Sequence, residues 1–372
     1  ILSTMVLVTL SGGANIYAGG DYMQKAMFPH DFSIQGKGTT GEQMDQVLTE
    51  FVNEQQLPVT KKGVYPYYTM GVTSRAGNQL DINAAAQKFV TPKTYILAVS
   101  EADYQNMTGK TLNLGDDEVA LYQQGVKLDS KQDLQLAGQT FKIKEELKED
   151  FIFGHLPDQM NMIVPEKIYM VLKNPDQIFS AMTDKYAVNL NYYGWLDTKL
   201  STEEQRNLRD AYQEKLQQFN QTLPENQAVY GSVTAFDKQE IKGMLGGMFF
   251  IGIFLSIVFM LGTILIIYYK QISEGYEDRD RFVILQKVGL DEKQIRQTIR
   301  KQILIVFFLP LAFAFIHLTF AYHMLSLILS ALGVLNSALM LAVTLGVCAI
   351  FFISYVIVFM ITSRSYRKIV SM

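Results

Sequence analysis

Long apolar runs at the two ends of the sequence enclose a middle section with the mixed pattern of a globular domain. Met244–Tyr269 contains 26 residues without a charge, and residues 302–361 contain no Asp, Glu, Lys or Arg. A helix needs roughly 20 apolar residues to cross a bilayer, so the first run predicts one transmembrane helix. The second run is too long for a single crossing and predicts two helices, near 303–330 and 338–361.

The N-terminal run is shorter than the others. Residues 1–10 are apolar or hydroxylic, and Ser11, Gly12 and Gly13 interrupt the pattern. The basic segment that begins a signal peptide is absent. We therefore expect residues 1–17 to be the outer part of a transmembrane helix whose beginning lies further upstream.

Charge predicts the orientation of these spans. Residues 270–301 carry eight Lys or Arg and the C-terminal tail adds three, whereas residues 1–242 carry 22 basic and 30 acidic residues, a net charge of −8. Short basic loops beside spans stay in the cytoplasm, so residues 18–242 are predicted to be extracytoplasmic. The negative charge of this domain has two explanations: it keeps the domain soluble, or it attracts cationic peptides.

These patterns predict a multi-pass protein of the cell membrane. The fold class is a membrane α-helical bundle of four spans, the first truncated, with a large α+β extracytoplasmic domain. Frequent Gly, Asn and Pro breaks between short segments support the α+β assignment. The predicted divisions are a truncated transmembrane helix (1–17), an extracytoplasmic domain with a C-terminal stalk helix (18–242), a transmembrane helix (243–269), a cytoplasmic coupling region (270–301), two transmembrane helices (302–361) and a cytoplasmic tail (362–372).

Capping patterns predict where helices of the outer domain begin. A Ser, Thr or Asp followed three residues later by Glu or Gln is typical of a helix N-terminus. The last such helix is predicted to run without a break into the next span and to form a stiff stalk. The pairs are Thr39 with Glu42, Ser201 with Glu204, and Asp237 with Glu240.

The segment between the second and third spans carries the strongest local pattern. Residues 282–288 predict a short helix with apolar residues on more than one face, and Gly289 suits a C-terminal cap that needs a positive φ. Exposed apolar residues on a short cytosolic helix are unfavourable unless a protein partner or the membrane interface covers them. The candidate docking residues are Phe282, Ile284, Leu285, Lys287, Val288, Gly289 and Leu290.

Small residues recur along the second span. Gly243 and Gly247 are one helical turn apart and Gly252 continues the pattern, which permits close helix packing but also arises by chance in apolar sequence. Pro310 lacks an N–H group and predicts a bend near the inner end of the third span. His317 in the same span is either functional or hydrogen-bonded within the bundle.

The sequence lacks the patterns of catalytic and cofactor sites. Its single cysteine, Cys348, lies in the last apolar run, and its four histidines have no metal-ligand spacing. Gly109-Lys110-Thr111 resembles the end of a phosphate-binding loop, but Tyr104 stands where that loop requires glycine. We expect no catalytic activity, cofactor, metal or nucleic-acid partner.

Several segments resemble one family. They resemble the FtsX-like permeases of the BceB type, the membrane subunits of ABC transporters for resistance to peptide antibiotics such as bacitracin. The resemblance is specific over about 268–311 and extends in the outer domain only to size and placement. The segments are Tyr268–Asp278, Ile284–Gly289, Phe307–Leu311 with His317, and Ser363–Val370.

The resemblance implies that the chain is the C-terminal half of a ten-helix permease, with residues 243–361 as its FtsX-like permease domain. The implied partners are a cytosolic ABC ATPase subunit, docked on a coupling helix at about 282–289, and a sensor histidine kinase. The implied ligands are peptide antibiotics or lipid-linked cell-wall precursors, and membrane lipids surround the spans. The implied action is mechanical, with ATP-driven motion transmitted to the outer domain.

Two alternatives stay open. The first is a four-helix mechanotransmitting permease for export or lipoprotein release. The second is an FtsX-like signalling protein that moves no substrate and activates cell-wall hydrolases across the membrane.

Overall fold

The chain divides into two units. The outer unit is Asp21–Lys242, and the membrane unit is Ile1–Gly20 together with Gly243–Met372. The computed structural model describes residues 2–83, 92–157, 166–182, 186, 188–287, 292–331 and 337–370.

Long helices make up the membrane unit. They are α1 (Leu2–Met27), α7 (Thr234–Lys287), α8 (Glu292–Ala331) and α9 (Ser337–Val370). Within the described residues, three segments are long and apolar enough to cross a membrane, namely Thr234–Glu277, Leu304–Ser330 and Ser337–Arg364. They confirm the membrane bundle predicted from the apolar runs.

The first helix extends past residue 17 and ends at Met27. Ser11, Gly12 and Gly13 lie inside this helix, and Gly13 packs closely on another helix of the unit: a Cβ at Gly13 would lie 3.5 Å from the Cα of Gly252. Helix α1 is not among the three candidate spans. Its Val6 and Leu7 are nevertheless buried in one cluster with side chains of α8 and α9.

An eleven-stranded sheet runs through the described part of the outer unit, in the order β11-β1-β10-β2-β5-β9-β6-β8-β7-β4-β3. The pairs β4–β7, β5–β9 and β6–β8 are parallel, and the other pairs are antiparallel. The strands are β1 (Phe32–Lys37), β2 (Val59–Val72), β3 (Ser74–Ala76), β4 (Gln79–Asp81), β5 (Thr94–Ser100), β6 (Glu118–Gln124), β7 (Leu134–Leu136), β8 (Gln139–Glu146), β9 (Glu166–Leu172), β10 (Val188–Thr198) and β11 (Ala228–Val233).

Apolar clusters cover both faces of the sheet around β9. Ile168 and Met170 of β9 belong to one apolar cluster, whereas Tyr169 and Val171 belong to another, as strand alternation requires. A third cluster lies where helices cover β1, β10 and β11. The helices of this unit are α2 (Gly41–Gln55), α3 (Glu101–Thr108), α4 (Pro175–Phe179), α5 (Thr202–Asn207) and α6 (Arg209–Asn220), and together with the sheet they confirm the α+β class.

The predicted helix starts are partly corrected. The capping box at Ser201 is present, but the helix after it divides at Leu208 into α5 and α6. The box of α2 uses Thr40 and Gln43. The prediction one residue earlier is wrong because Thr39 is packed inward, only 6% exposed, and its side chain is not available as the cap.

The stalk helix begins at Thr234 and not at Asp237. The Thr234 N–H donates to the Asp31 carbonyl at 2.9 Å, and its hydroxyl donates to the carbonyl of His30. Asp237 instead accepts a hydrogen bond from the Ser232 hydroxyl. Because Thr234 is held in this way, α7 starts directly from the end of β11.

Candidate functional site

The predicted coupling residues lie at the C-terminal end of α7. Phe282, Ile284, Leu285 and Lys287 continue the helix of the preceding span, so the predicted short helix is not separate from it. Ile284 is 59% exposed. Residues 288–290, which are Val288, Gly289 and Leu290, lie outside the described residues. Their role in docking stays a prediction.

Gly252 is a point of close approach between α1 and α7. A Cβ at this position would lie 3.0 Å from the Thr9 carbonyl oxygen, and the Thr9 and Ser256 hydroxyls are 2.8 Å apart beside it. Small residues allow two backbones in a membrane to approach in this way. Gly243 and Gly247, by contrast, have no described atom within 4 Å of their Cβ positions.

Polar side chains also join α1 to the other two helices. The Asn15 Nδ2 donates to the Thr344 Oγ1 of α9 at 3.0 Å, and the Thr4 Oγ1 lies 3.5 Å from Nδ1 of His317 on α8. Helix α1 is thus in polar contact with each of the other long helices. Sequence reasoning singled out His317 but missed Asn15 and Thr344, whose only signal was a polar residue in an apolar run.

Pro310 lies inside α8, which continues through it from Glu292 to Ala331. One turn earlier, the Phe307 carbonyl accepts a hydrogen bond from the Tyr355 hydroxyl at 2.9 Å. This bond joins α8 to α9 next to the position where proline removes a backbone donor.

A polar junction surrounds His30, just before β1. The His30 Nδ1 lies 3.0 Å from a carboxylate oxygen of Asp197, and its Nε2 lies 3.2 Å from the His155 carbonyl. The ring stacks on Trp195 with centroids 3.9 Å apart. The Asp197 carboxylate also accepts the Asp31 N–H at 3.1 Å, which ties β10 to the chain that enters β1.

A cleft of about 750 Å³ opens beside this junction. Its apolar floor includes Tyr104 and Phe151, which are buried, and its rim carries charged side chains of both signs. Burial lowers the pKa of His155 at one end of the cleft, and the charges of His30 and Lys61 lower it further. The charged rim residues are Lys110, Glu145, Glu146, Lys148, Glu149 and Asp150.

The segment that resembles a phosphate-binding loop has another role. Gly109 is the C-terminal cap of α3 with φ of 72°, and its N–H donates to the Gln105 carbonyl. The N–H is therefore occupied within the chain. In the described residues, no group of three or more His, Cys, Asp or Glu side chains is placed to hold a metal ion.

Comparison with known proteins identifies two ABC transporter permeases from Bacillus subtilis (strain 168). The chain is 34% identical to the permease protein YxdM over 119 residues, which is 32% of this chain and 18% of YxdM. It is 30% identical to the uncharacterized permease YvcS over 132 residues, which is 36% of this chain and 19% of YvcS. The matched region is thus only about a fifth of either relative.

No family model matches the sequence. Among solved structures, a crystal structure of a Bacillus anthracis protein aligns with 54% of this chain and 96% of its own length, at 6% identity and a TM-score of 0.27. That TM-score is too low to support an argument. The chain is a multi-pass membrane protein with a large extracytoplasmic α+β domain, and about a third of it is similar to ABC transporter permeases.

Proposed function

We propose that this chain is part of the membrane subunit of an ABC transporter, and that a separate cytosolic ATPase supplies the energy. The similarity to two ABC transporter permeases supports the proposal. The chain itself then has no catalytic role, and its function is to convert motion on the cytoplasmic side into motion of the outer unit.

The observation that carries this proposal is the unbroken course of α7. The helix contains 54 residues, starts at the end of β11 and reaches the predicted coupling residues at Phe282. At a rise of 1.5 Å per residue it is about 80 Å long. A helix of this kind is stiff along its axis, so a displacement at one end is passed to the other.

The attachment of α7 to the outer sheet suits this transmission. Strand β11, which precedes α7, pairs with β1 along its whole length, from Phe32 with Val233 to Lys37 with Ala228. Strand β1 follows α1. The two long helices are therefore attached to adjacent strands of one sheet, and a relative shift between them would act directly on the β1–β11 pair.

The ATPase is proposed to dock on the segment from Phe282 to Leu290. Ile284 supports this placement because its large apolar side chain is 59% exposed at the C-terminal end of α7. The same segment lies in the part of the sequence with the strongest resemblance to BceB-type permeases. We propose Gly243 and Gly247 as a further packing surface for transmembrane helices, since their Cβ positions are open.

The finer proposal is resistance to peptide antibiotics, together with sensing of those peptides. In this proposal the outer unit binds a bacitracin-like peptide or a lipid-linked cell-wall precursor, and the movement is communicated to a sensor histidine kinase. The net charge of −8 over residues 1–242 favours cationic peptides. The cleft with its apolar floor and charged rim offers a place for an amphipathic ligand.

The proposal is tested by Ile284→Asp in the complete permease. A charge at this exposed apolar position should abolish ATPase co-purification and peptide resistance. The outer unit should stay folded, as reported by the fluorescence of Trp195, the single tryptophan. The control is Leu190→Asp, which places an aspartate at another exposed aliphatic position, in β10, that is 40% exposed; it should leave the complex intact.

A normal ATPase complex with normal resistance in the Ile284→Asp protein would contradict the proposal. Loss of the ATPase without any effect on resistance would favour the signalling alternative, which is tested by capture of a cell-wall hydrolase on the outer unit. If the release of a lipoprotein were lost in the Ile284→Asp protein, the export alternative would be favoured.

A further inference from the structure

Two buried polar atoms on α1 have no hydrogen-bond partner in the described chain. They are Oγ of Ser11 and Oδ1 of Asn15. The two residues are 0% and 1% exposed, and both belong to the membrane unit. They are four residues apart on one helix, so their side chains lie on the same face, one turn above the other.

The neighbouring contacts show which hydrogen bonds these two atoms can still make. The Asn15 amide uses both of its N–H groups, donating to the Ser11 carbonyl at 2.8 Å and to Thr344 Oγ1 at 3.0 Å. Its Oδ1 can only accept, whereas the Ser11 hydroxyl can both donate and accept. A buried polar atom without a partner is strongly unfavourable in a membrane, where no bulk water compensates.

We propose that one water molecule is bound between Ser11 and Asn15, beside Thr344. The water accepts the Ser11 hydroxyl hydrogen and donates one of its own hydrogens to Asn15 Oδ1, and both atoms are then satisfied. Buried waters in proteins typically make two to four such bonds to polar groups that otherwise lack partners.

The charge pattern favours water over an ion. Residues 1–20, 243–269 and 302–361 contain no Asp, Glu, Lys or Arg. A desolvated cation would therefore have no anionic partner among these residues, which is unfavourable. The available atoms are neutral oxygens, which suit a neutral ligand that donates and accepts hydrogen bonds.

The water satisfies two side chains of α1, whereas the contact between α1 and α9 is the direct hydrogen bond from Asn15 to Thr344. Because a water can reorient, Ser11 Oγ and Asn15 Oδ1 keep a partner when these side chains shift slightly.

The first test is Ser11→Ala in the full chain in detergent. Unfolding of the membrane unit is followed by a thiol-reactive dye on Cys348, the single cysteine. Loss of the bound water should lower the Tm by about 2–4 °C. If no water is bound, removal of an unpaired hydroxyl leaves the Tm unchanged or raises it, and the proposal is overturned.

The matched control is Ser326→Ala. The Ser326 hydroxyl donates to the His323 carbonyl of its own helix at 2.7 Å and is exposed, so its removal should not change the Tm. If the Tm fell equally in both variants, the loss of any serine hydroxyl would explain the effect, and the proposal would be overturned.

The second test is a double-mutant cycle of Ser11→Ala and Asn15→Leu. The Asn15 amide bonds to the Ser11 backbone, and no direct bond joins the two side chains. If a water joins the two side chains, either single substitution already removes it, and the double variant should lose less Tm than the sum of the single variants. Additive losses, or an experimental map without an oxygen between these atoms, would refute the bound water.

Discussion

The imidazole of His30 and the carboxylate of Asp197 lie 3.0 Å apart, although 167 residues separate them in the sequence. His30 comes just before β1, and Asp197 lies near the end of β10. The pair therefore ties the chain that leaves α1 to β10, the third strand from one edge of the outer sheet. Trp195 stacks on the same imidazole and provides a local fluorescent reporter.

Asp197→Ala is expected to destabilise the outer unit. It removes the acceptor for His30 Nδ1 and for the Asp31 N–H, and the His30 side chain is only 7% exposed. Hydrogen bonds to charged groups contribute roughly 1.5–3 kcal/mol, so we expect a loss of about 2 kcal/mol in the free energy of unfolding. Urea unfolding of the full chain, followed by Trp195 fluorescence, measures it.

The control for this prediction is Asp45→Ala. The Asp45 carboxylate pairs with Lys62 at 3.0 Å, but both side chains are exposed. Exposed ion pairs contribute little to stability. If Asp197→Ala were no more destabilising than Asp45→Ala, the junction would have no structural importance.

Acidification is expected to destabilise the outer unit through His155. Burial lowers the pKa of His155 below its usual 6.5, and nearby positive charges lower it further. As the pH falls through about 6.5, the His155 imidazole becomes protonated in the unfolded chain but stays neutral in the folded chain. Stability then falls as the pH is lowered, and this loss is absent above the unfolded-state pKa.

His155→Gln should remove this part of the acid sensitivity. The urea midpoint, measured by Trp195 fluorescence at pH 7.5 and 5.5, should fall less in His155→Gln than in the parent chain. Other titrating groups are common to both proteins and cancel in the comparison. His323→Gln, a change outside the outer unit, should keep the parental pH dependence; an identical fall in all three proteins would disprove the role of His155.

Gly252→Val is expected to destabilise the membrane unit. The new Cβ would lie 3.0 Å from the Thr9 carbonyl oxygen, so α1 and α7 must separate. Overpacking of this kind is destabilising by about 1–3 kcal/mol. The Tm reported by a thiol-reactive dye on Cys348 should fall, whereas Gly246→Val, which meets no described atom within 4 Å, should be tolerated. Equal Tm values for the two variants would show that the close approach at Gly252 is unimportant.

Local patterns predicted the features that depend on short stretches of chain. The apolar runs predicted the spans, since a helix across a bilayer is recognised by about 20 consecutive residues. The capping box at Ser201 was predicted for the same reason, because its hydrogen bonds join residues three apart. The prediction failed at Thr39, whose side chain is packed inward and leaves the cap to Thr40.

The sequence by itself determined the three long apolar segments and the α+β character of the outer domain. Only the tertiary structure decided that α7 begins at Thr234, that Gly13 of α1 lies against Gly252 of α7, and that His30 meets Asp197. The physical reason is the sequence separation of the residues that interact. Hydropathy and capping depend on residues that are close together in the sequence. The contacts that decided the remainder join residues that become neighbours only when the sheet and the helix bundle have formed.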